Sequence, residues 1–199
     1  MRYRLIRPLD YLRIKHEQKT KYDIYIPATL TILSIFIYIL LPVKPNTFGS
    51  GSITNIIGGL LQLLSGFYIA SLAAIATFNK QGMDSVMPGV APTLETLHRG
   101  SLENIKLTRR RFLCLMFGFL AFSSIALYLF GGLAEILSSN YGLLSGQVKI
   151  YIKYIFLSVY FFVFYNIMTT TCLGLYYMSD RIHRGDPEHI GKPGNGKPE

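Results

Sequence analysis

Tryptophan is absent from this 199-residue chain, cysteine occurs twice, and only 11 residues are acidic. The two cysteines, Cys114 and Cys172, both fall inside apolar stretches. There a small hydrophobic thiol needs no chemistry to explain it, and neither a disulfide framework nor a zinc site is indicated. Charged residues make up 16% of the chain, against roughly 25% in a soluble globular domain. The deficit is concentrated. Ile24–Leu41, Ile53–Phe78, Phe112–Ala134 and Tyr154–Ser179, which are 18, 26, 23 and 26 residues long, contain no Asp, Glu, Lys, Arg or His. At about 1.5 Å per residue each can cross a hydrocarbon core of about 30 Å. Strand alternation is also missing, and lipid offers no partner to an exposed backbone amide, so helices are the spanning structure these runs allow. The expected fold is all-α, an integral membrane four-helix bundle.

Missing motifs narrow the chemistry further. There is no H-E-x-x-H, C-x-x-C, G-x-S-x-G, P-loop or dinucleotide glycine fingerprint, so no catalytic residue, metal ligand or cofactor is expected. No span carries Asp, Glu, Lys, Arg or His, which disfavours the proton relays, ion-coupled transport and voltage sensing that depend on such residues. His16, His98, His183 and His189 lie in separate segments and read as solvated surface residues.

Basic residues are plentiful, and their distribution is lopsided. Of the 20 Lys and Arg, 17 precede the first span, separate spans two and three, or follow span four; three, Lys44, Lys149 and Lys153, lie in the other two connections. The positive-inside rule then puts both termini in the cytoplasm, N-in/C-in in a bacterial inner membrane. The net charge of +9 reads as topology and attraction to anionic membrane lipids, and direct nucleic-acid binding is not expected. The domain reading is a cytoplasmic basic interfacial segment over 1–23, a four-span membrane domain over 24–179 with a cytoplasmic loop at 79–111, and a disordered Pro- and Gly-rich tail over 180–199. The first span is expected to stay in the mature chain, because Pro42-Val43-Lys44 stands where a small-residue cleavage site would be.

Local signals refine the picture. Residues 8–15 suit an interfacial helix on the inner leaflet, and the short connection at 42–52 predicts that spans one and two are antiparallel neighbours. In the middle loop Thr93 suits the cap of a short helix carrying Leu94 and Leu97 and stopping at Gly100. Ser101 suits the cap of a second helix, running from Leu102 through Lys106 and Arg109-Arg110-Arg111 into span three. Beyond Glu135, a turn at 138–142 precedes a candidate interfacial helix, with Tyr141, Tyr151 and Tyr154 in an outer aromatic belt.

The polar content of the spans is neutral and patterned. Asn55, Gly59, Gln62, Gly66, Ala70 and Ala73 recur at three- and four-residue spacing, a small and polar stripe of the kind that packs transmembrane helices together. Gln62 and Asn166 lie at similar depth, so a hydrogen bond between spans two and four is expected. The other reading is a water-filled path in an oligomer, lined by Asn166, Thr169, Thr170 and Thr171. The arginines at 109–111 are first of all membrane-boundary anchors; with Arg99 and Lys106 they are also the candidate partner-binding set.

Ala73-Ala74-Ile75-Ala76-Thr77-Phe78-Asn79, Met83-Asp84, Gly89, Pro92, Leu94 and Leu107-Thr108-Arg109-Arg110-Arg111-Phe112-Leu113-Cys114 together resemble small four-span bacterial proteins, among them the membrane subunit of the Kiwa anti-phage defence system. The likeness covers about a quarter of the chain. It implies a homo-oligomeric inner-membrane protein that senses phage attachment and works with a cytosolic, nucleic-acid-binding partner subunit. The middle loop and N-terminal segment would then be the docking surface.

Overall fold

The structure is a computed structural model that describes residues 7–16, 19–77, 83–86, 91–98, 101–138 and 146–181; the side chains of 96–98, 101–103 and 180–181 lie outside this description. So do Arg99, Tyr141 and the tail beyond 181. The chain is mostly helical. Four helical stretches are long and apolar enough to cross a membrane: Lys21–Leu40 (20 residues), Ile53–Thr77 (25), Arg109–Ser138 (30) and Gly146–Ser179 (34). Each contains one of the uncharged runs, nearly entire. We name the regular helices α1 (Ile26–Leu40), α2 (Ile53–Thr77), α3 (Arg109–Ser138) and α4 (Gly146–Tyr176). The interfacial helix expected ahead of span four is instead the first turns of α4 itself.

The start of span one is shaped by a proline. In an α-helix the amide at position 27 would bond the carbonyl of residue 23, but Pro27 has no N–H to give. The preceding turn, Lys21–Tyr25, is π-helical, with the Ile26 amide donating to the Lys21 carbonyl. Such local widening of a helix commonly accompanies a break in its hydrogen-bond ladder. The Asp23 carbonyl is thereby left to find another donor.

The helices pack pairwise, most extensively α2 on α3, then α1 on α4 and α3 on α4. The expected pairing of α1 with α2 does not occur: despite their short connection they share no substantial interface. The connection instead folds on itself, with Gly49 and Gly51 at positive φ where side chains are strained. The Ile53 and Thr54 amides donate to the Asn46 and Thr47 carbonyls at 3.1 and 3.3 Å. Close approach of α3 and α4 relies on Gly174, where a Cβ would meet Met116 Cε at 2.8 Å and Phe117 Cζ at 3.4 Å. Buried polar contacts add to the apolar core. Tyr68 on α2 hydrogen-bonds Thr171 on α4, and Ser34 on α1 meets the Tyr165 hydroxyl on α4 at 2.6 Å.

Between α2 and α3 the two expected short helices are replaced by a β-hairpin. β1 (Thr93–His98) and β2 (Ser101–Lys106) pair antiparallel, from Thr93 with Lys106 to His98 with Ser101. Gly100, expected as the stop of the first short helix, lies with Arg99 between the strands and outside the described residues. Alternation decides the case: Leu94 is 2% exposed and stands opposite Ile105, whereas the next residue, Glu95, bonds Lys15.

Gly174→Leu should force α3 and α4 apart at the cost of overpacking, about 1–3 kcal/mol. A lowered midpoint of thermal unfolding in detergent, with helix content retained below the transition, is the expected measurement.

Candidate docking surface and its coupling to the spans

The hairpin is tied to the N-terminal segment by main chain and side chain together. The Lys15 amide donates to the Thr93 carbonyl at 2.9 Å and the Thr93 amide returns a bond to the Lys15 carbonyl at 3.2 Å. Lys15 also forms an ion pair with Glu95. This lysine, by hydrogen bond first and by charge second, holds the Glu95 carboxyl below the usual carboxylate range. Below the hairpin, Met83, Leu94 and Leu107 are buried.

The N-terminal segment forms a 3-10 helix over Arg7–Arg13. Tyr11, 1% exposed, stacks on Phe119 of α3 at 5.0 Å between ring centroids and 24° between planes. Lys19 Nζ stands 4.6 Å from the centroid of the Tyr11 ring and is ion-paired with Asp23. Burial, reinforced by the Asp23 charge, pushes the Tyr11 hydroxyl well above the ordinary phenol range. Tyr11 is therefore a neutral plug at physiological pH.

Asp23 joins this segment to α4. Its carbonyl, released by Pro27, accepts a hydrogen bond from Asn166 Nδ2 at 2.7 Å. Its carboxylate is 8% exposed and faces Lys19 through Oδ2, while Oδ1 has no hydrogen-bond partner among the described residues. Thr170 Oγ1, fully buried, is likewise unpartnered among them. The expected bond between Gln62 and Asn166 is not made. Asn166 is committed to Asp23, and Gln62 is exposed on α2. Sequence reasoning missed Asp23 because it was counted as the last residue of a cytoplasmic segment. The available signal was Pro27 four positions on.

The threonines on α4 divide by neighbour. Thr169 donates to the Tyr165 carbonyl at 2.7 Å and Thr171 to the Ile167 carbonyl at 2.6 Å, the usual use of a helix hydroxyl in an apolar setting.

The triple arginine is also divided. Arg110 binds Asp84 in a two-pronged geometry, Nε to Oδ1 at 2.8 Å and Nη2 to Oδ2 at 3.1 Å, and gives Nη1 to the Ala76 carbonyl at 3.3 Å near the end of α2. The Arg109 and Arg110 amides, two of the unsatisfied donors at the start of α3, bond the Ser85 and Met83 carbonyls at 3.3 and 2.9 Å. Thr108 caps the same helix through Oγ1 to the Arg111 amide at 3.3 Å. Arg110 thus clamps α2, the 83–86 segment and α3 together rather than offering itself to a partner. Lys106 and Arg111 are exposed; Arg109 is half-buried and already engaged.

All six residues of the α2 stripe, Asn55, Gly59, Gln62, Gly66, Ala70 and Ala73, are exposed, and a Cβ at Gly59 or Gly66 would meet nothing within 4 Å. Among the described residues the stripe packs directly on no helix, although Asn55, Gly59 and Gln62 border a cavity beside α3. The face α2 turns to α3 is the other one, through Ile57, Gly58, Leu61, Tyr68 and Ile75. Among the described residues no group of three or more His, Cys, Asp or Glu side chains is placed to hold a metal ion.

Asn166→Leu should destabilise the chain by about 1–3 kcal/mol, since it leaves the Asp23 carbonyl without its donor. Gln62→Leu, on an exposed face, should change monomer stability by no more than about 0.5 kcal/mol. Thermal unfolding of the two variants in the same detergent compares them directly; equal losses would contradict the assignment.

No protein-family model, curated protein or solved structure matches the chain.

Proposed function

We propose that this chain is a non-enzymatic sensor or scaffold subunit of a bacterial inner membrane, a four-helix bundle with both termini cytoplasmic. In this reading it assembles with copies of itself and passes a disturbance of the envelope to a cytosolic, nucleic-acid-binding partner, as the resemblance to the Kiwa membrane subunit suggests. The observation that carries the reading is the outward-facing stripe on α2. Lipid tails are as apolar as leucine, so small residues and amides on a membrane helix favour another helix over lipid. Orientation is supported by the clustering of basic residues. The N-terminal segment, the hairpin and the start of α3 meet at one end of the helices, with Arg7, Lys21, Lys106 and Arg111 exposed there. That end offers the docking surface, and Lys106 and Arg111 supply positive charge there.

A second reading is an oligomeric ion channel or membrane-depolarising effector. The exposed amides of Asn55 and Gln62 favour it, since several copies of α2 arranged with this stripe inward would line a polar path. Asn166, Thr169 and Thr171 now contribute less to such a path because their hydrogen bonds are made within the chain.

Gly66→Leu should convert the oligomer to monomer on size-exclusion chromatography in mild detergent, and should reduce recovery of a co-purifying cytosolic partner. An unchanged oligomer would count against assembly through α2. For the channel, Gln62→Leu should abolish ion leak from liposomes without impairing insertion; persistent leak would remove that reading.

A further inference from the structure

At the end of the molecule opposite the hairpin, α2, α3 and Tyr160 of α4 border a half-open cavity of about 450 Å³. Glycines on both α2 and α3 line it. A Cβ at Gly58 would make ordinary contact with the Tyr128 ring at 3.6 Å, and one at Gly131 would crowd the Tyr160 hydroxyl at 3.1 Å. Around it stand Asn55, Gln62, Tyr128, Glu135 and Tyr160. Tyr160 is fully buried, and its hydroxyl has no hydrogen-bond partner among the described residues.

Glu135 is the one acidic residue of α3 and α4, and no described basic side chain forms an ion pair with it. Of the three lysines of this end, Lys44 donates to the Tyr154 hydroxyl at 3.3 Å, Lys153 stands 5.3 Å over the Tyr38 ring, and Lys149 is itself engaged. Among the described residues the cavity therefore presents one carboxylate without a salt bridge, the Asn55 amide oxygen, an aromatic ring and an unmatched hydroxyl. Each of these complements a cation that also donates hydrogen bonds. Depth adds to the argument. The 30 residues of α3 span about 45 Å, longer than a hydrocarbon core of about 30 Å, so its last turn, which contains Glu135, reaches headgroup level.

We propose that this niche binds a primary ammonium group, presented either by the ethanolamine headgroup of a phospholipid or by a free amine. The ammonium pairs with the Glu135 carboxylate and donates to the Asn55 amide oxygen, and the glycine-lined wall admits it beside the Tyr128 ring. The inference rests on the membrane embedding proposed above, and Asn55 lies on the face of α2 that the proposed self-assembly also uses.

The test is native mass spectrometry and thermal unfolding of the full chain in detergent, supplied in turn with phosphatidylethanolamine, its N-trimethylated counterpart phosphatidylcholine, and free ethanolamine. Retention and thermal stabilisation by phosphatidylethanolamine over phosphatidylcholine are expected. Glu135→Gln should cut that preference about tenfold, the loss expected for one charge-assisted hydrogen bond. Competition by millimolar free ethanolamine would identify a free amine as the ligand; its failure to compete, with the lipid preference intact, would identify the lipid. Equal retention of the two lipids by the unaltered chain, which requires no variant to fold, overturns the proposal. So does a preference that survives Glu135→Gln, or one lost on Gly66→Leu together with the oligomer, which would mean lipid trapped between copies. Recovery of the chain without detergent would instead overturn the membrane embedding.

Discussion

A backbone carbonyl in an apolar environment must find a donor, and here one unsatisfied carbonyl organises the end of the molecule that carries most of its charge. Pro27 removes the amide that Asp23 would have used, the turn before it widens, and Asn166 reaches across from α4 to take the vacated position. The same residue holds Lys19 through its carboxylate, and Lys19 covers the ring of Tyr11. Position 23 thus connects the first span, the fourth span and the N-terminal segment through contacts that each answer a separate electrostatic need.

Polar groups in the spans fall into two populations. Those turned inward, such as Tyr68 with Thr171 and Ser34 with Tyr165, are paired across helices and specify how the helices meet. Those on the exposed face of α2 have no side-chain partner among the described residues, although they carry the pattern that most resembles a helix-packing surface. Exposed amides and glycines gain little from lipid, so the face that packs least well in a single copy is the one best suited to contact something beyond it.

The number of spans and nearly all their boundaries were legible in the sequence, because an uncharged run as long as a bilayer is thick has few alternatives. Pairing was less legible. The distance from Leu41 to Ile53 bounds how far apart two helices can be, but side-chain fit decides whether they touch, and α1 finds α4 instead. The hairpin was misread because Thr93, Ser101 and Gly100 satisfy helix-capping rules as well as strand and turn rules; the alternation of Leu94 and Glu95 separated the two only with the pairing in view. Asn166 was correctly singled out as a buried polar residue that needs a partner, and the partner was missed because carbonyls freed by proline do not appear in a list of side chains. Arg110 was grouped with its neighbours as a surface charge, although Asp84, 26 positions earlier, was available to hold it.

Among the described residues α1 meets the bundle along its α4 flank, through Ser34 and Tyr38, and shares no substantial interface with α2 or α3. The α2–α3 pair is therefore packed independently of the first helix. Asp23 stands eight positions from Lys15, whose amide and carbonyl bond Thr93, so one short stretch of chain joins the foot of α1 to the edge of the small sheet.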